Sequence, residues 1–144
     1  MLIKDVDAVY QIECDCFSNP WPLDALKQEV DREASLYSVV TIDDKVVAYG
    51  GMRICLDEGE ITNIAVNKNY RRTGIGRELF ENLLEQAKKR HVDSITLEVR
   101  VSNEAAKILY LSVGFKQIAI RKSYYQKPTE DALIMQRHIG LYYK

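Results

Sequence analysis

The sequence predicts a mixed α/β fold in which helices flank a single sheet. Three observations predict this class. Two amphipathic helical segments open the chain, an antiparallel pair of strands joined by a tight turn follows, and strands then alternate with helices. No repeat, low-complexity tract or linker rich in glycine and serine interrupts the sequence, so we expect a single domain over residues 1–144.

The first half of the chain contains the two opening helices and three strands. Apolar residues recur at helical spacing in the opening segment, and the stretch NPWP separates this helix from the next one. Pro22 is suited to the first position of the second helix, and Asp43–Asp44 to a tight turn between strands. The predicted elements are helices over 5–17 and from Pro22, and strands over 36–42, 45–55 and 60–66.

A long amphipathic helix dominates the second half. Apolar residues recur every four positions from Ile75 to Ala87, which gives this helix one apolar face. Ser102 or Asn103 is suited to cap the next helix, and Gly114 is suited to the left-handed residue that ends it. The remaining predicted elements are a strand over 94–101, a helix over 104–113, and strands over 115–120 and 132–139 around a polar loop.

Composition argues against several classes of protein. The net charge of −1 and the pI near 6.1 are not those of a general nucleic-acid-binding protein. No apolar run approaches the roughly 20 residues needed to span a bilayer, and the N-terminus lacks the apolar stretch of a signal peptide. We therefore expect a cytoplasmic protein with no membrane association. The cysteines and histidines lack metal-ligand spacing, so we expect no metal site.

The stretch RRTGIGR places two glycines where the long helix begins. Glycine costs a helix about 1 kcal/mol relative to alanine, so glycines here suggest that the backbone itself is needed. Unpaired N–H groups and the helix dipole attract phosphate, and Arg71, Arg72 and Arg77 add positive charge. The spacing matches neither the dinucleotide-binding pattern nor the Walker A pattern. The spacing alone is compatible both with an anion site and with a solvated arginine turn.

The strand over 94–101 carries polar residues, Glu98 among them, on one of its two faces. A central strand of an α/β sheet is usually apolar on both faces. A carboxylate in its middle therefore indicates a wet cleft, a charged partner or a chemical role, and a solvated face beneath a loop is the alternative. Tyr110 on the next helix is compatible with a core tyrosine whose hydroxyl reaches an edge, and Asn103 with a plain helix cap.

The segment NIAVNKNYRRTGIGRELFENLL resembles the pyrophosphate-binding segment of the GNAT superfamily of N-acetyltransferases. The family signature, Arg/Gln-x-x-Gly-x-Gly/Ala, corresponds to residues 71–76. The resemblance implies a mostly antiparallel sheet with one parallel strand pair splayed at the cofactor. It also implies that this turn holds the diphosphate of acetyl-CoA and that the preceding strand holds the pantetheine arm. The cofactor-binding residues so implied are Ile64, Ala65, Val66, Arg71, Arg72, Thr73, Gly74, Ile75, Gly76 and Arg77.

Four further blocks are similar to RimI-type enzymes, which acetylate the N-terminal alanine of a small-subunit ribosomal protein. These blocks are FSNPWP, LEVRVSNEAAKILYLSVGF, RKSYY and EDALIM. The resemblance implies that Glu98 is the general base, that Tyr110 is the general acid and that Asn103 contacts the cofactor. Acyl transfer needs both groups, because an α-amine with a pKa near 8 is mostly protonated at pH 7 and the leaving thiolate gains from receiving a proton.

The N-terminus departs from the RimI-type pattern. These enzymes usually begin with a strand before the first helix, but Met1–Ile3 leaves almost no room for one. We therefore expect the first strand to be truncated or missing, which concerns the edge of the sheet and not the site. The tail GLYYK matches no pattern that we can interpret.

Acidic and aromatic residues lie near the expected entrance for a peptide. Glu58 and Glu60 would attract a basic peptide such as a ribosomal protein tail, although charged hairpin tips also serve solubility alone. Trp21, Tyr124 and Tyr125 come from segments that flank the peptide groove in the subfamily, and a packing role is the alternative.

Three functions follow from these patterns. The favoured function is acetylation of a protein N-terminal alanine, with acetyl-CoA as cosubstrate. The first alternative is an acetyltransferase of the same fold that acts on a small-molecule amine. The second is a non-catalytic acyl-CoA sensor, which the residues at the two catalytic positions disfavour.

Overall fold

The computed structural model describes residues 1–140, which form one six-stranded sheet with helices on both faces. Single turns of 3-10 helix occupy Ile3–Asp5 and Lys68–Tyr70. The helices are α1 (Val6–Cys16), α2 (Leu23–Asp31), α3 (Ile75–Lys89) and α4 (Glu104–Ser112). The strands are β1 (Ser35–Ile42), β2 (Lys45–Cys55), β3 (Glu58–Val66), β4 (Ser94–Arg100), β5 (Lys116–Tyr125) and β6 (Glu130–His138).

The strands lie in the order β1-β2-β3-β4-β6-β5. All neighbours are antiparallel except β3 and β4, which are parallel because the crossover through α3 joins them. The prediction of a mixed α/β sheet with one parallel pair is therefore confirmed. None of the helices within residues 1–140 is both long enough and apolar enough to cross a membrane.

The parallel pair is short, and the two strands then part. Only Glu58–Ser94, Gly59–Ile95 and Glu60–Thr96 are paired. Beyond Glu60 the ladder between β2 and β3 contains a bulge, since Gly51 pairs with Asn63 and the next residue pairs with Ile61. A bulge bends its strand and increases the local twist. The result is a gap between residues 61–66 of β3 and residues 97–100 of β4, in the middle of the sheet.

The two faces of the sheet are covered by different helices. On one face, α3 packs Phe80 and Leu83 against Ile95, Leu97 and neighbouring core residues. On the other face, α1 and α2 cover β1, β2 and β3. Since successive residues of a strand point to opposite faces, Glu98 lies on the α1 and α2 side, opposite the buried Leu97.

The predicted ends of the helices agree with the structure to within one residue. The Asn103 side chain caps α4 by accepting from the Ala106 N–H at 3.2 Å, as expected. Gly114 has φ of +92° after α4, which confirms the left-handed residue there. Pro22 is the N-cap of α2 and Leu23 its first residue, so the proline lies one position earlier than predicted.

Strand β5 extends further toward the C-terminus than the predicted strand over 115–120. Residues 121–125 were expected in a polar loop, but β5 continues through them to Tyr125 at the edge of the sheet. An edge strand with an exposed face lacks the alternating apolar pattern, which explains the error. No strand precedes α1 within residues 1–140. Of the tail, only Gly140 lies within the described residues.

Candidate active site

The gap between β3 and β4 leaves one edge of β3 without a strand partner. On its other edge, β3 remains paired to β2 up to Val66. The free edge therefore carries unpaired backbone groups that suit an extended ligand. At its far end the Val66 carbonyl is already in use, since it accepts from Arg71 Nε at 3.0 Å and from Cys16 Sγ at 3.7 Å.

The arginine-glycine turn after β3 presents free N–H groups. Arg72 and Gly74 have positive φ, +61° and +86°, and Gly74 is the N-cap of α3. The first helical hydrogen bond runs from the Glu78 N–H to the Gly74 carbonyl at 3.0 Å. Within residues 1–140 nothing accepts from the N–H groups of residues 75–77, which lie at the positive end of the helix dipole. This arrangement suits an anion.

Gly76 lies where α3 approaches both β3 and α4. A Cβ atom at this position would come within 3.4 Å of Leu109 Cδ2 and 3.7 Å of Val66 Cγ2. A methyl group there would be in ordinary contact, but a longer side chain would extend toward the N-terminus of α3, because the Cα–Cβ bonds of a helix tilt in that direction. At Gly74, by contrast, a Cβ atom would meet nothing within 4 Å, and the left-handed backbone explains the glycine.

The three arginines of the turn differ in how they are engaged. Arg71 faces back toward β3 and α1, where its Nη2 also contacts Cys16 Sγ at 3.3 Å. Arg77 forms an exposed pair with Glu81 at 3.1 Å, one helical turn away. Arg72 is exposed and has no ion-pair or hydrogen-bond partner among residues 1–140, so its charge is available to a ligand.

Glu98 lies on β4 beside the gap. It follows Thr96, the last residue of β4 that pairs with β3, by two positions. Its side chain is 21% exposed, and its Oε1 is 3.3 Å from Nη1 of Arg121 on β5. As hydrogen-bond acceptor and as negative charge, the Glu98 carboxylate raises the pKa of the Tyr124 phenol. The predicted base is therefore a half-buried carboxylate held between a guanidinium and a phenol.

Tyr110 lies on α4 with its ring in an aromatic cluster. The ring centroids of Phe80 and Phe115 are 5.6 and 6.3 Å away. Burial raises the pKa of the Tyr110 phenol to about 12, so the hydroxyl is protonated at neutral pH. Each fully buried side-chain nitrogen or oxygen within residues 1–140 has a hydrogen-bond partner, whereas this hydroxyl has none. The hydroxyl must therefore reach open space.

Tyr125 lies within electrostatic range of both predicted catalytic residues. Burial raises its pKa to about 12, and Glu98 and then Tyr110 act in the same direction. Glu98 on β4 and Tyr110 on α4 therefore both lie close enough to Tyr125 to affect its pKa, although they are separated in sequence. Asn103 lies one helical turn before Ala106 at the start of this helix, and its amide oxygen is used as the cap.

The acidic and aromatic candidates lie at different distances from Glu98. Glu60 pairs with Thr96, so it shares the face of Glu98 and lies about two residues, roughly 7 Å, along the strand. Glu58 is two residues further away at the start of β3. Trp21 is half-buried, with the Arg53 guanidinium 5.3 Å from its ring centroid.

Sequence analysis did not identify Arg121 as a site residue. Its pairing with Glu98 depends on the register of β5, and these residues were predicted to form a loop. The hydrogen bonds of Glu13 on α1 to the segment around Trp21 were also missed, because a single glutamate in an amphipathic helix gives no sequence signal. Within the part of the chain that the structure describes, no group of three or more His, Cys, Asp or Glu side chains could hold a metal ion.

Comparison with known proteins places these features in a family. Residues 6–115 match the Acetyltransferase (GNAT) family. A putative ribosomal protein bS18-alanine N-acetyltransferase of Bacillus subtilis (strain 168) is 39% identical over 136 residues, covering 94% of this chain and 90% of that protein. The ribosomal protein bS18-alanine N-acetyltransferase of Escherichia coli (strain K12) is 39% identical over 141 residues, covering 95% and 93%.

A solved structure agrees with these sequence relatives. The crystal structure of the ribosomal-protein-S18-alanine N-acetyltransferase from Escherichia coli superimposes with a TM-score of 0.90 at 37% identity, covering 98% of this chain and 92% of that one. The predicted likeness to RimI-type enzymes is confirmed. The chain belongs to the GNAT family of acetyltransferases.

Proposed function

We propose that this protein transfers the acetyl group of acetyl-CoA to the α-amine of a protein N-terminal alanine in the cytoplasm, and that its acceptor is a small-subunit ribosomal protein. One observation carries the proposal. The gap between β3 and β4 has an anion-binding turn at one end and, at the other, a half-buried carboxylate near a phenol that stays protonated. The names of the relatives at 39% identity support the choice of acceptor.

The residues of β3 and the turn fit the cofactor. The free N–H groups at the start of α3 and the unpaired Arg72 would hold the diphosphate, and Gly76 leaves the space that it needs. The free edge of the segment Ile64, Ala65 and Val66 would pair with the two amide groups of the pantetheine arm, except at the Val66 carbonyl, which Arg71 already uses. Acetyl-CoA supplies a thioester carbonyl for attack and a thiolate as leaving group. Asn103 would reach the cofactor with the amide nitrogen that its cap leaves free.

Glu98 would take the proton of the incoming ammonium group. A terminal amine has a pKa near 8, so at pH 7 about nine in ten molecules are protonated and cannot attack. A carboxylate beside the gap can accept this proton directly or through a water molecule. In the free protein the carboxylate of Glu98 forms an ion pair with Arg121. The incoming ammonium group would displace the Arg121 guanidinium. The exposure of Arg121 makes that exchange inexpensive, since exposed ion pairs contribute roughly 0–1 kcal/mol.

Tyr110 would donate to the sulfur as the carbon–sulfur bond breaks. Its phenol, with a pKa of about 12, keeps its proton at neutral pH. An ordinary thiol has a pKa of about 8.5, so full transfer from this phenol to a thiolate would be uphill. Tyr110 therefore acts mainly as a hydrogen-bond donor to the developing negative charge, a role that needs no complete proton transfer.

The acceptor assignment can be tested with a panel of substrates. Purified protein is incubated with acetyl-CoA and either peptides that differ in their first residue, spermidine or an aminoglycoside, and the products are analysed by mass spectrometry. We expect acetylation at the α-amine of peptides that begin with alanine, at a higher kcat/KM than any small amine. Equal or better acetylation of the small amines would instead favour a small-molecule acetyltransferase, and no acetylation with intact acetyl-CoA binding would favour a sensor.

A further inference from the structure

A buried carboxylate joins the segment before α2 to the strand beside the gap. Glu13 on α1 is 2% exposed. Its Oε2 accepts from the backbone N–H of Trp21 at 2.9 Å, and its Oε1 accepts from Asn63 Nδ2 at 3.2 Å and from the Tyr49 hydroxyl. Three groups from three segments therefore all donate a hydrogen bond to the one carboxylate.

The Asn63 donor lies at the bulge where β3 leaves β4, and the Tyr49 donor lies two residues away, opposite Ala65. Thr62 is the extra residue of that bulge, and its hydroxyl lies 2.8 Å from the Tyr37 hydroxyl. The same Tyr37 hydroxyl donates to Asn63 Oδ1 at 3.3 Å, while Asn63 Nδ2 donates to Glu13. The Glu13 carboxylate is thus bonded to the strand at the point that opens the gap.

The segment on the other side of the carboxylate donates few backbone hydrogen bonds. Among the described hydrogen bonds, Trp21 supplies the only one donated by the backbone of residues 18–22. Pro20 and Pro22 have no N–H group to offer. Apolar packing of Trp21 against the cluster beneath α1 also holds this segment, and the Glu13 bond adds the one backbone tie that links it through a carboxylate to β3.

A second buried glutamate, Glu29, binds the arginine that lies over the Trp21 ring. The Arg53 guanidinium lies 5.3 Å from the ring centroid, and its Nη2 is 2.5 Å from Oε1 of Glu29, which is 3% exposed. Arg53 is the cross-strand partner of Glu60. Since Glu60 is in turn the partner of Thr96, Trp21 belongs to the face of the sheet that carries Glu98.

We infer that Glu13 is a positioning residue for the acceptor: it fixes the Trp21 segment to the bulge of β3, so that this wall of the peptide groove keeps a set distance from the cofactor strand. The inference rests on the proposed function, because it assigns the Trp21 side of the gap to the peptide. Glu13 lies on α1, and β3 is also held in place by its pairing with β2 through Val66. The loss of Glu13 should therefore change how well the acceptor binds and leave the chemical step and the cofactor site intact.

Glu13→Gln tests the inference with an isosteric change. A glutamine has one acceptor oxygen, so its NH₂ group must face either the Trp21 N–H or the Asn63 NH₂, and one of these bonds is lost. Because a hydrogen bond to a charged group is among the stronger ones, its loss should loosen the Trp21 segment, and we expect KM for an acceptor peptide to rise about 10-fold. The kcat value and the Kd for acetyl-CoA should stay within about 2-fold of the wild type.

Trp21 provides a direct readout because it is the only tryptophan in the chain. In Glu13→Gln its emission should shift to the red, and acrylamide should quench it more strongly. Val92→Ala is the matched control. It removes buried methyl groups from the core cluster that contains α3, away from the Glu13 network, and so lowers the stability of the protein by a different route. The control should lower the melting temperature while KM for the peptide and the quenching of Trp21 stay as in the wild type.

Arg53→Lys decides the question if Glu13→Gln does not fold. Lysine keeps a charge beside Glu29 but not the planar guanidinium over the Trp21 ring. We expect a smaller rise in peptide KM, about 3-fold, with increased quenching. Unchanged peptide KM and unchanged quenching in the variants that fold would overturn the inference. Should the wild type acetylate no peptide, the proposed function fails, and unchanged quenching in Glu13→Gln would still show on its own that Glu13 does not hold the segment.

Discussion

The two walls of the gap are made in different ways. The wall proposed to bind the cofactor, called the cofactor wall, is one continuous segment, β3 and the arginine-glycine turn, and it presents mainly backbone groups. The wall proposed to be catalytic, called the catalytic wall, consists of side chains on three elements: Glu98 on β4, Tyr110 on α4, and Arg121 and Tyr124 on β5. The cofactor wall should therefore depend on where a backbone can go, and the catalytic wall on individual functional groups.

This difference separates binding from turnover. Changes on the cofactor wall should affect acetyl-CoA affinity and should be severe only where a side chain fills space that the ligand needs. Changes on the catalytic wall should leave acetyl-CoA affinity intact and reduce kcat. A variant that breaks this division would show that the two walls do not act separately.

The largest effect is expected on the catalytic wall, from Glu98→Gln. Positioned acid–base catalysis contributes about 10²–10⁴-fold, so kcat for an alanine peptide at pH 7 should fall by that factor. The Kd for acetyl-CoA, measured by calorimetry, should not change, because the carboxylate lies on the other wall of the gap. Glu85→Gln, the same chemical change on the exposed side of α3, is the control and should retain wild-type kcat. A weakened Kd in Glu98→Gln would contradict the division between the walls.

The matching change on the cofactor wall is Gly76→Glu. Its carboxylate would lie in front of the free N–H groups and take the place of the diphosphate. At 100 times Kd, acetyl-CoA should stabilise the wild type by about 2.7 kcal/mol, and the variant should lose this shift in melting temperature. Leu56→Glu adds the same charge at an exposed residue outside the gap and should keep the shift. A full shift in Gly76→Glu would mean that the turn does not hold the cofactor.

A smaller loss of kcat is expected from Tyr110→Phe. Because the phenol contributes mainly a hydrogen bond to the sulfur, the loss should lie near the lower end of the range for acid–base groups, about 10²-fold. The ring remains, so the contacts with Phe80 and Phe115 and the melting temperature at pH 7 should be preserved. Single-turnover kinetics with saturating acetyl-CoA would measure this step. Wild-type kinetics would remove Tyr110 from the mechanism.

The smallest effect concerns the acidic residues near the entrance. Glu60→Gln should lower kcat/KM for a basic peptide a few-fold at low salt, since carboxylates steer cationic ligands. Glu58→Gln should have less effect, because Glu58 lies further from Glu98 along the strand. Raising the ionic strength should reduce both differences, as the Debye length falls to about 8 Å at 0.15 M. Equal effects of the two changes, or none at low salt, would remove Glu60 from the peptide entrance.

The same difference between the walls explains what the sequence could reveal. The strand, the turn and the helix of the proposed cofactor wall were predictable because they follow one another in sequence, whereas their assignment to acetyl-CoA came from family resemblance. Glu98 could be placed on a polar face of its strand, because alternation at period two is a local signal. Its role and that of Tyr110 came from family resemblance, since nothing in the local pattern relates a residue of β4 to one of α4.

The contacts that the sequence could not predict are those that cross the sheet. The pair of Arg121 with Glu98 requires the register of β5 on β6 and of β6 on β4. The bonds of Glu13 to Asn63 and to the Trp21 backbone require a helix to lie over a bulge. Both are long-range arrangements of ordinary polar residues, and single polar residues have no period that marks them in a sequence.

The pH dependence of turnover in two variants tests the central claim most directly. It compares kcat of the wild type, Glu98→Gln and Tyr110→Phe on an alanine peptide from pH 6.5 to 9. The missing step in Glu98→Gln is removal of a proton from an amine with a pKa near 8, so its defect should shrink as pH rises and the free amine accumulates. The defect of Tyr110→Phe should stay constant, because the wild-type phenol, with a pKa of about 12, remains protonated throughout. A Glu98→Gln defect that is independent of pH, or nearly full activity at pH 7, would contradict the assignment of Glu98 as the base.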